Sequence, residues 1–417
     1  MASNNENQSV NIKRAGMTKV PLINLNILLI IIYLSFIWMG LPDSMLGPAW
    51  PSMYGSLNTH LHYAGYISMI ISGGRVLSSI FCERIIRRFG TGTVVAAGFL
   101  TLSAALFGFS FSSSFLIMCL WSVPYGLGIG FADVALNNYV TLHYKARHMN
   151  WLHCFWGIGA SIGPVIMSFF LVNKNSWNMG YRAAGIIQCC LVVVLFFALS
   201  LWEKEKKDER TKIKNTESIH YKELFSTPGV KQILVVFFLY CSVQVTAVLW
   251  GSSFLVTEKN INPETAAQWI SLFFIGLTLG RFISGFLTMK LTNRQIVRIS
   301  YGFIICGVTA LLLPVERILL VPGFFMIGIG CAPIFPCLLH ETPVSFGNEK
   351  SRSILGMQMA GSFIGALSMP PVFGQLASFA GFKLFPVFLG ALAVLSVIVF
   401  EIANKKIDKN RMSGSSS

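Results

Sequence analysis

The chain has 417 residues, of which 54% are hydrophobic and only 12% are charged, and its mean hydropathy is +0.64. A soluble domain of this length needs far more charged surface, so the composition excludes an ordinary soluble protein. The net charge of +15 would also suit a nucleic-acid-binding protein, but the positions of the charges exclude that interpretation.

Twelve strongly apolar runs follow one another along the chain, six on each side of a basic linker. Each is long enough to cross a hydrocarbon core of about 30 Å, which takes roughly 20 helical residues. The runs cover residues 22–46, 61–81, 92–111, 114–140, 150–172, 181–201, 230–256, 265–289, 296–314, 317–340, 352–377 and 383–403. This pattern predicts an all-α membrane protein with twelve transmembrane helices.

The basic residues are distributed unevenly around these runs. If the chain starts in the cytoplasm, 25 of the 32 Lys and Arg lie in cytoplasmic segments, five lie outside, and two, Arg75 and Arg281, lie within the membrane. Such an excess of positive charge on one side is typical of the cytoplasmic face. We therefore predict a multi-pass protein of the cell membrane with both termini in the cytoplasm.

The runs and linkers divide the chain into five predicted segments. These are a cytoplasmic N-terminal segment (1–21), a six-helix bundle (22–202), a cytoplasmic linker (203–228), a second six-helix bundle (229–404) and a cytoplasmic tail (405–417). The linker mixes Lys, Glu and Asp with few apolar residues, so it is expected to be a connector with room for a short helix.

The two predicted bundles resemble each other in sequence. Similar short segments recur at nearly one spacing: 128–132 with 328–332, offset by 200, and 159–163 with 361–365 and 88–91 with 290–293, both offset by 202. A fourth pair, Gly74-Arg75 with Gly280-Arg281, is offset by 206 and disagrees by one helical turn. Two parallel repeats of six helices, with a polar site between them, are the architecture of alternating-access transporters.

Five ionisable side chains are candidates for positions within the membrane, where a charge costs at least a few kcal/mol on insertion scales. Each must be paired, lie in a wet cavity or serve a function. They are Asp43, Arg75, Asp133, His153 and Arg281.

Asp133 is the strongest candidate for a functional acid. The face of run 4 that carries it, at spacings of four, three and four residues, consists of Gly126, Gly130, Asp133 and Asn137. The glycines allow a neighbour or a ligand to approach the backbone, and a buried carboxyl can exchange a proton as its cavity opens and closes. The alternative is a structural acid paired permanently with an arginine.

The other ionisable residues each leave two interpretations open. Asp43 follows Pro42, which breaks or kinks a helix, so it is either an intramembrane acid or an acid at the outer water interface. His153 and Trp156 share a face of run 5, and His153 is either a packing residue near a basic loop or a substrate or proton ligand. Arg281 either pairs with a buried acid or binds substrate.

The chain resembles the major facilitator superfamily over essentially its whole length, and within it the fucose–galactose–glucose proton symporters of the fucose-permease type. The segments that carry the resemblance are 87–92, Pro42-Asp43-Ser44, Asp133-x-x-x-Asn137 and 152–164. The segment 87–92 lacks the acid that the superfamily usually has between helices 2 and 3. The resemblance implies a proton relay role for Asp43, and sugar binding and proton coupling for Asp133.

A sugar site also needs amides and aromatic faces. With the residues above, we predict that the solute is bound by Asp133, Asn137, His153, Trp156, Gln244, Trp250, Arg281 and Gln358, and that Asp43 and Asp133 couple protons. Membrane-interface anchoring is the alternative for any one tryptophan.

Three functions remain after other classes are excluded. The chain has no G-x-x-x-x-G-K-[ST] phosphate loop, no H-E-x-x-H and no C-x-x-C pair, so we expect no enzyme, metal or cofactor. The leading prediction is a monomeric importer that couples a sugar or similar small solute to protons. A proton antiporter that exports drugs or metabolites is the alternative, because Gly159-x-x-x-Gly163-Pro164 partly resembles an antiporter signature. A sensor or scaffold would need no intramembrane acid.

Overall fold

A computed structural model describes residues 22–144, 146–174, 176–203, 221–313 and 320–414. The predicted N-terminal segment 1–21 and most of the predicted linker lie outside the described residues. The part of the linker that is described forms a short helix, Tyr221–Ser226.

Each half of the described chain contains six long helices. In the first half they are α1 (Leu22–Asp43), α2 (Ala64–Phe89), α3 (Thr91–Phe111), α4 (Phe115–His143), α5 (Ala146–Lys174) and α6 (Trp177–Glu203). In the second half they are α7 (Val230–Lys259), α8 (Pro263–Leu287), α9 (Asn293–Leu312), α10 (Leu320–Phe346), α11 (Asn348–Ala380) and α12 (Phe385–Gly414). Within the described residues, 12 helical segments are long and apolar enough to cross a membrane. The prediction of an all-α protein with twelve spanning helices is confirmed.

Several helices continue beyond their apolar runs at one end of the bundle. We call this end, at which α1 begins, the basic end, because Arg87 and Arg88 lie there in the last turn of α2 and Arg294 and Arg298 lie there near the start of α9. The opposite end is called the far end. Hydropathy marks only the lipid-facing length of a helix, whereas backbone hydrogen bonding continues into the polar layer, so the runs underestimate these helices.

Helix α1 is interrupted in the middle of its span. Pro42 lies in its last turn, the chain turns at residues 44–45, and a short helix resumes over Leu46–Met53. The Ser44 hydroxyl donates to the Leu41 carbonyl at 3.0 Å, and the Met45 amide donates to the Pro42 carbonyl at 3.2 Å. Asp43 therefore lies within the span Ile27–Met53 and not at its end.

Close contacts at glycines establish how the two halves correspond. Gly159 and Gly163 of α5 pack against the α1 backbone at Ile37 and Leu41, and Gly361 and Gly365 of α11 pack against the α7 backbone at Leu234 and Phe238. The pairs that share a sequence offset of 202 therefore make the same helix–helix contact, α5 on α1 and α11 on α7.

The same offset holds for the helices between them. Gly126 packs against Ile71 of α2, and Gly328, 202 residues later, packs against Phe273 of α8. Gly128 meets Gly98 of α3, and Gly330, 202 residues later, meets Ser300 of α9, so the predicted match of 128–132 with 328–332 is wrong by two residues. Spaced glycines fit two registers equally well in sequence, and the packing partner distinguishes them.

The match of Gly74-Arg75 with Gly280-Arg281 is wrong for the same reason. Gly74 packs against the backbone of Gly126 and Leu127, and the residue that makes the corresponding contact in the second half is Gly276, which packs against Phe325 and Ile329. Arg281 therefore lies one helical turn nearer the basic end than a structural equivalent of Arg75 would.

The two halves pack together mainly toward the far end and in the middle. At the far end, Gly65 of α2 meets Pro371 of α11, and Gly47 meets the α7 backbone at Val248. In the middle, Gly157 of α5 meets Thr278 of α8. Among the described residues, α4 with α11 and α5 with α10 make at most marginal contact. Among the described helices, the contacts between the halves therefore lie at the far end and in the middle, and we call the sparsely contacted region toward the basic end the cleft.

Candidate functional site

Two carboxylates and one guanidinium meet in the first half. Arg75 of α2 donates to the carboxylate of Asp43 and forms an ion pair with it, with side chains that are 27% and 18% exposed. Asp133 of α4 also interacts electrostatically with both Arg75 and Asp43. The break in α1 therefore places its carboxylate where one arginine serves two acids.

The packing of α2 on α4 explains this arrangement. Gly130 lies one turn before Asp133 and has the backbone of Arg75 and the Ser78 side chain against it. Because a side chain at position 130 would separate the two helices, the glycine lets the guanidinium approach Asp133. The predicted face of run 4 thus has its expected packing role.

Asp133 has a second polar neighbour on its own helix. The Asn137 amide donates to the Asp133 carboxylate at 2.7 Å and to its backbone carbonyl at 2.9 Å. Both side chains are half-buried. Asp43 forms the direct ion pair with Arg75, and Asp133 interacts with that arginine without a direct hydrogen bond to it among the described contacts.

A second polar group lies where α5 of the first half meets α8 of the second half. The guanidinium of Arg281 donates to the backbone carbonyl of His153 at 3.0 Å, and it lies 5.6 Å from the ring centroid of Trp156. The Trp156 ring in turn contacts Phe274 edge-on. Arg281, His153 and Trp156 are thus brought together across the two halves.

The imidazole of His153 packs against α1. Its ring meets Phe36 of α1 edge-on, with centroids 6.1 Å apart, and the residue offers its backbone carbonyl to Arg281. The packing interpretation of His153 fits this arrangement.

Of the other predicted amide and aromatic ligands, Gln244 is linked to Arg281 through Tyr240. It accepts a hydrogen bond from the Tyr240 hydroxyl, and Tyr240 interacts electrostatically with Arg281. Tyr240 was missed in the sequence, although its position one helical turn before Gln244 places the two on one face.

The structure does not bring Trp250 and Gln358 together with the other predicted ligands. Trp250 is fully buried and donates its indole N–H to the Pro370 carbonyl at 2.9 Å, so it joins α7 to α11. Gln358 is also fully buried and hydrogen-bonds with Thr342 of α10 at 2.8 Å. A solute role for either would require another conformation.

No group of three His, Cys, Asp or Glu is placed to hold a metal ion within the described residues. The arrangement is instead one of two groups of fixed charges, one within the first half and one at the contact between α5 and α8. Such a site can bind a polar solute and, through its carboxyls, protons.

Residues 32–358 match the Major Facilitator Superfamily. The chain belongs to that family. Like its other members it is a transporter of small solutes, and the twelve spanning helices in two six-helix repeats are the major facilitator fold.

The chain is similar over most of its length to proteins with different functional descriptions. The chain is 23% identical to "Bypass of stop codon protein 6" of Saccharomyces cerevisiae over 421 residues, which cover 93% of this chain and 84% of that protein. It is 20% identical to the "Glucose/mannose transporter GlcP" of Bacillus subtilis, with 74% and 77% covered. Among solved structures, a mutant form of the nucleoside transporter NupG superposes with a TM-score of 0.73 at 15% identity, with 89% and 98% covered. At this identity the superposition supports the fold alone.

Proposed function

We propose that this transporter imports a small polar solute, of sugar size, together with protons. The observation that carries the proposal is the sharing of Arg75 by Asp43 and Asp133. Two carboxylates with one guanidinium leave one negative charge uncompensated inside the membrane, and a bound proton removes it. The similarity to a glucose/mannose transporter supports a solute of this size.

Alternating access would allow this cluster to couple the movement of protons to the movement of the solute. A ligand shifts a conformational equilibrium only through its different affinity for the two states. Asp43 lies at the break in α1 and Asp133 on α4, so movement of these helices would change how closely both acids share Arg75. A proton bound in one conformation is then released in the other, and the solute moves with it.

The orientation in the membrane follows from the charges. The arginines and lysines at the basic end, among them Arg84, Arg87 and Arg88 of α2, favour the cytoplasmic side. In this orientation both termini are cytoplasmic and the cleft opens inward. The protein would reside as a monomer in the cell membrane.

The sequence feature that favoured an exporter has a packing role. Gly159 and Gly163 bring α5 onto α1, and their counterparts Gly361 and Gly365 bring α11 onto α7. Because the same pattern recurs in the second half for packing, it is weak support for an antiporter signature.

The test is solute uptake into proteoliposomes driven by an imposed pH gradient. The solute is first found by thermal-shift screening of the detergent-purified protein with sugars, sugar acids, polyols and lipophilic cations. We expect uptake to exceed equilibrium only when the outside is acidic, and Asp133→Asn to abolish this excess. Asp408→Asn is the matched control, since Asp408 pairs with Arg294 at the basic end and should leave uptake intact. Gradient-driven uptake that survives in both Asp43→Asn and Asp133→Asn would contradict the proposal.

A further inference from the structure

The two arginines within the membrane spans differ in their charge balance. Arg75 faces two carboxylates. Arg281 meets no carboxylate among the described residues, and the groups that surround it are neutral: the His153 carbonyl, the Trp156 ring, Tyr240, Cys154 and Cys331. A positive charge held in a membrane span without a counter-ion favours binding of an anionic partner.

The guanidinium of Arg281 is largely available to such a partner. An arginine carries five N–H donors in a planar fork, and in this structure one Nη donates to the His153 carbonyl. The side chain is half-buried and lies at the contact between α5 and α8, which belong to different halves. It therefore lies between the two halves, where alternating access places the path of the solute.

The position of Arg281 in the repeat argues against a purely structural role. At the offset of 202 its counterpart in the first half is Ser79, whose hydroxyl bonds to the Val76 carbonyl of its own helix. The counterpart of the α5–α8 contact, α11 on α2, therefore forms without an arginine at this position. The helix packing that the two halves share therefore does not require the charge of Arg281.

We propose that the transported solute carries a carboxylate, which binds Arg281. A carboxylate fits the guanidinium fork through two parallel hydrogen bonds, a geometry that a lysine does not provide. The ring of Trp156 beside the guanidinium offers an apolar face to the body of the solute. This inference rests on the proposed function in taking the cleft as the solute path, and it narrows the solute to small polar organic acids, sugar acids among them.

The test is ligand binding by thermal shift to the full-length protein in detergent, with acids compared with neutral molecules of nearly the same shape. The probes are nicotinate and nicotinamide, galacturonate and galactose, and gluconate and glucitol, at neutral pH where the acids are ionised. We expect at least one acid to raise the melting temperature and its neutral partner not to do so. Arg281→Gln should weaken binding of that acid by at least about tenfold, and Arg281→Lys should weaken it less.

The matched control is Arg298→Gln, which removes a guanidinium paired with Glu401 at the basic end and should leave acid binding unchanged. Equal stabilisation by acid and neutral partner, no stabilisation by any acid, or unchanged acid affinity in Arg281→Gln would each overturn the proposal. If Arg281 only ties α8 to α5, its substitution lowers the melting temperature without ligand and leaves the affinity unchanged. Because detergent solution holds no gradient, failure here is distinguishable from failure of proton coupling.

Discussion

Arg75 of α2 forms an ion pair with Asp43, the last residue of α1 before its break. The same guanidinium interacts with Asp133 of α4. Three helices of the first half are therefore held through one arginine, and the consequences of removing each member are unequal.

We predict that Arg75→Gln destabilises the protein more than Asp43→Asn. Loss of the arginine leaves two acids without a counter-charge, which should lower the free energy of unfolding by about 3 kcal/mol. Loss of the Asp43 charge leaves Arg75 still balanced by Asp133. Melting temperatures in detergent measure the difference, and the double variant Arg75→Gln/Asp43→Asn should recover part of the loss. Equal melting temperatures for the two single variants would contradict the shared-arginine arrangement.

The equivalent glycine contacts in the two halves predict equivalent effects of substitution. A Cβ at Gly163 would meet the α1 backbone at Leu41, and a Cβ at Gly365 would meet the α7 backbone at Phe238. Gly163→Ala and Gly365→Ala should each cost about 1–3 kcal/mol of stability.

Gly302→Ala on α9 is the control for these two variants, because a Cβ there meets nothing within 4 Å. It should be neutral or stabilising by about 0.5 kcal/mol through reduced freedom of the unfolded chain. Thermal unfolding of the three variants side by side checks the prediction. A cost at position 163 without one at position 365 would argue against the common register.

We predict that a larger side chain at Gly65 opens the far end. A Cβ there already meets the backbone of Pro371, so Gly65→Leu should wedge α2 from α11 and favour the conformation that opens at the far end. Spin labels at Tyr54→Cys and Glu258→Cys, both exposed, in a background without other cysteines, should report a longer distance. Gly285→Leu, placed where a Cβ meets nothing within 4 Å, should leave the distance unchanged.

Joint movement of one carboxylate and one proton predicts electroneutral transport. The negative charge of the solute and the positive charge of the proton cancel, so a membrane potential should neither drive nor oppose uptake. Proteoliposomes with potassium gradients and valinomycin measure this directly. Uptake of an acid that rises steeply with an inside-negative potential would require more than one proton per carboxylate and would contradict this prediction.

The spanning helices were predictable from the sequence, because membrane insertion depends on the length and polarity of each segment alone. The register of the repeat was not, since Gly126, Gly128 and Gly130 recur every two residues and fit Gly328 and Gly330 in more than one way. Only the contacts of Gly128 with α3 and of Gly126 with α2 decide between them.

The intramembrane charges were recognisable, but their partners were not. Asp43 and Arg75 are 32 residues apart, and their pairing depends on the break in α1 and the packing of α2. Trp250 illustrates the opposite difficulty. The sequence suggested that Trp250 binds the solute because it shares a helical face with Thr246. Its full burial against Pro370 and Phe373 depends on tertiary packing, which the sequence does not show.

The common register also bears on the ancestry of the molecule. Asp133 corresponds to Phe335 and Arg281 to Ser79, so each half holds a charge that its copy lacks. The halves share one framework of glycine contacts and diverged in their polar residues after duplication. Under the proposed function, solute recognition at Arg281 of α8 could therefore change by substitution while the proton-coupling acids of α1 and α4 are kept. Chimeras that exchange the second half between relatives offer a direct route to transporters of altered solute specificity.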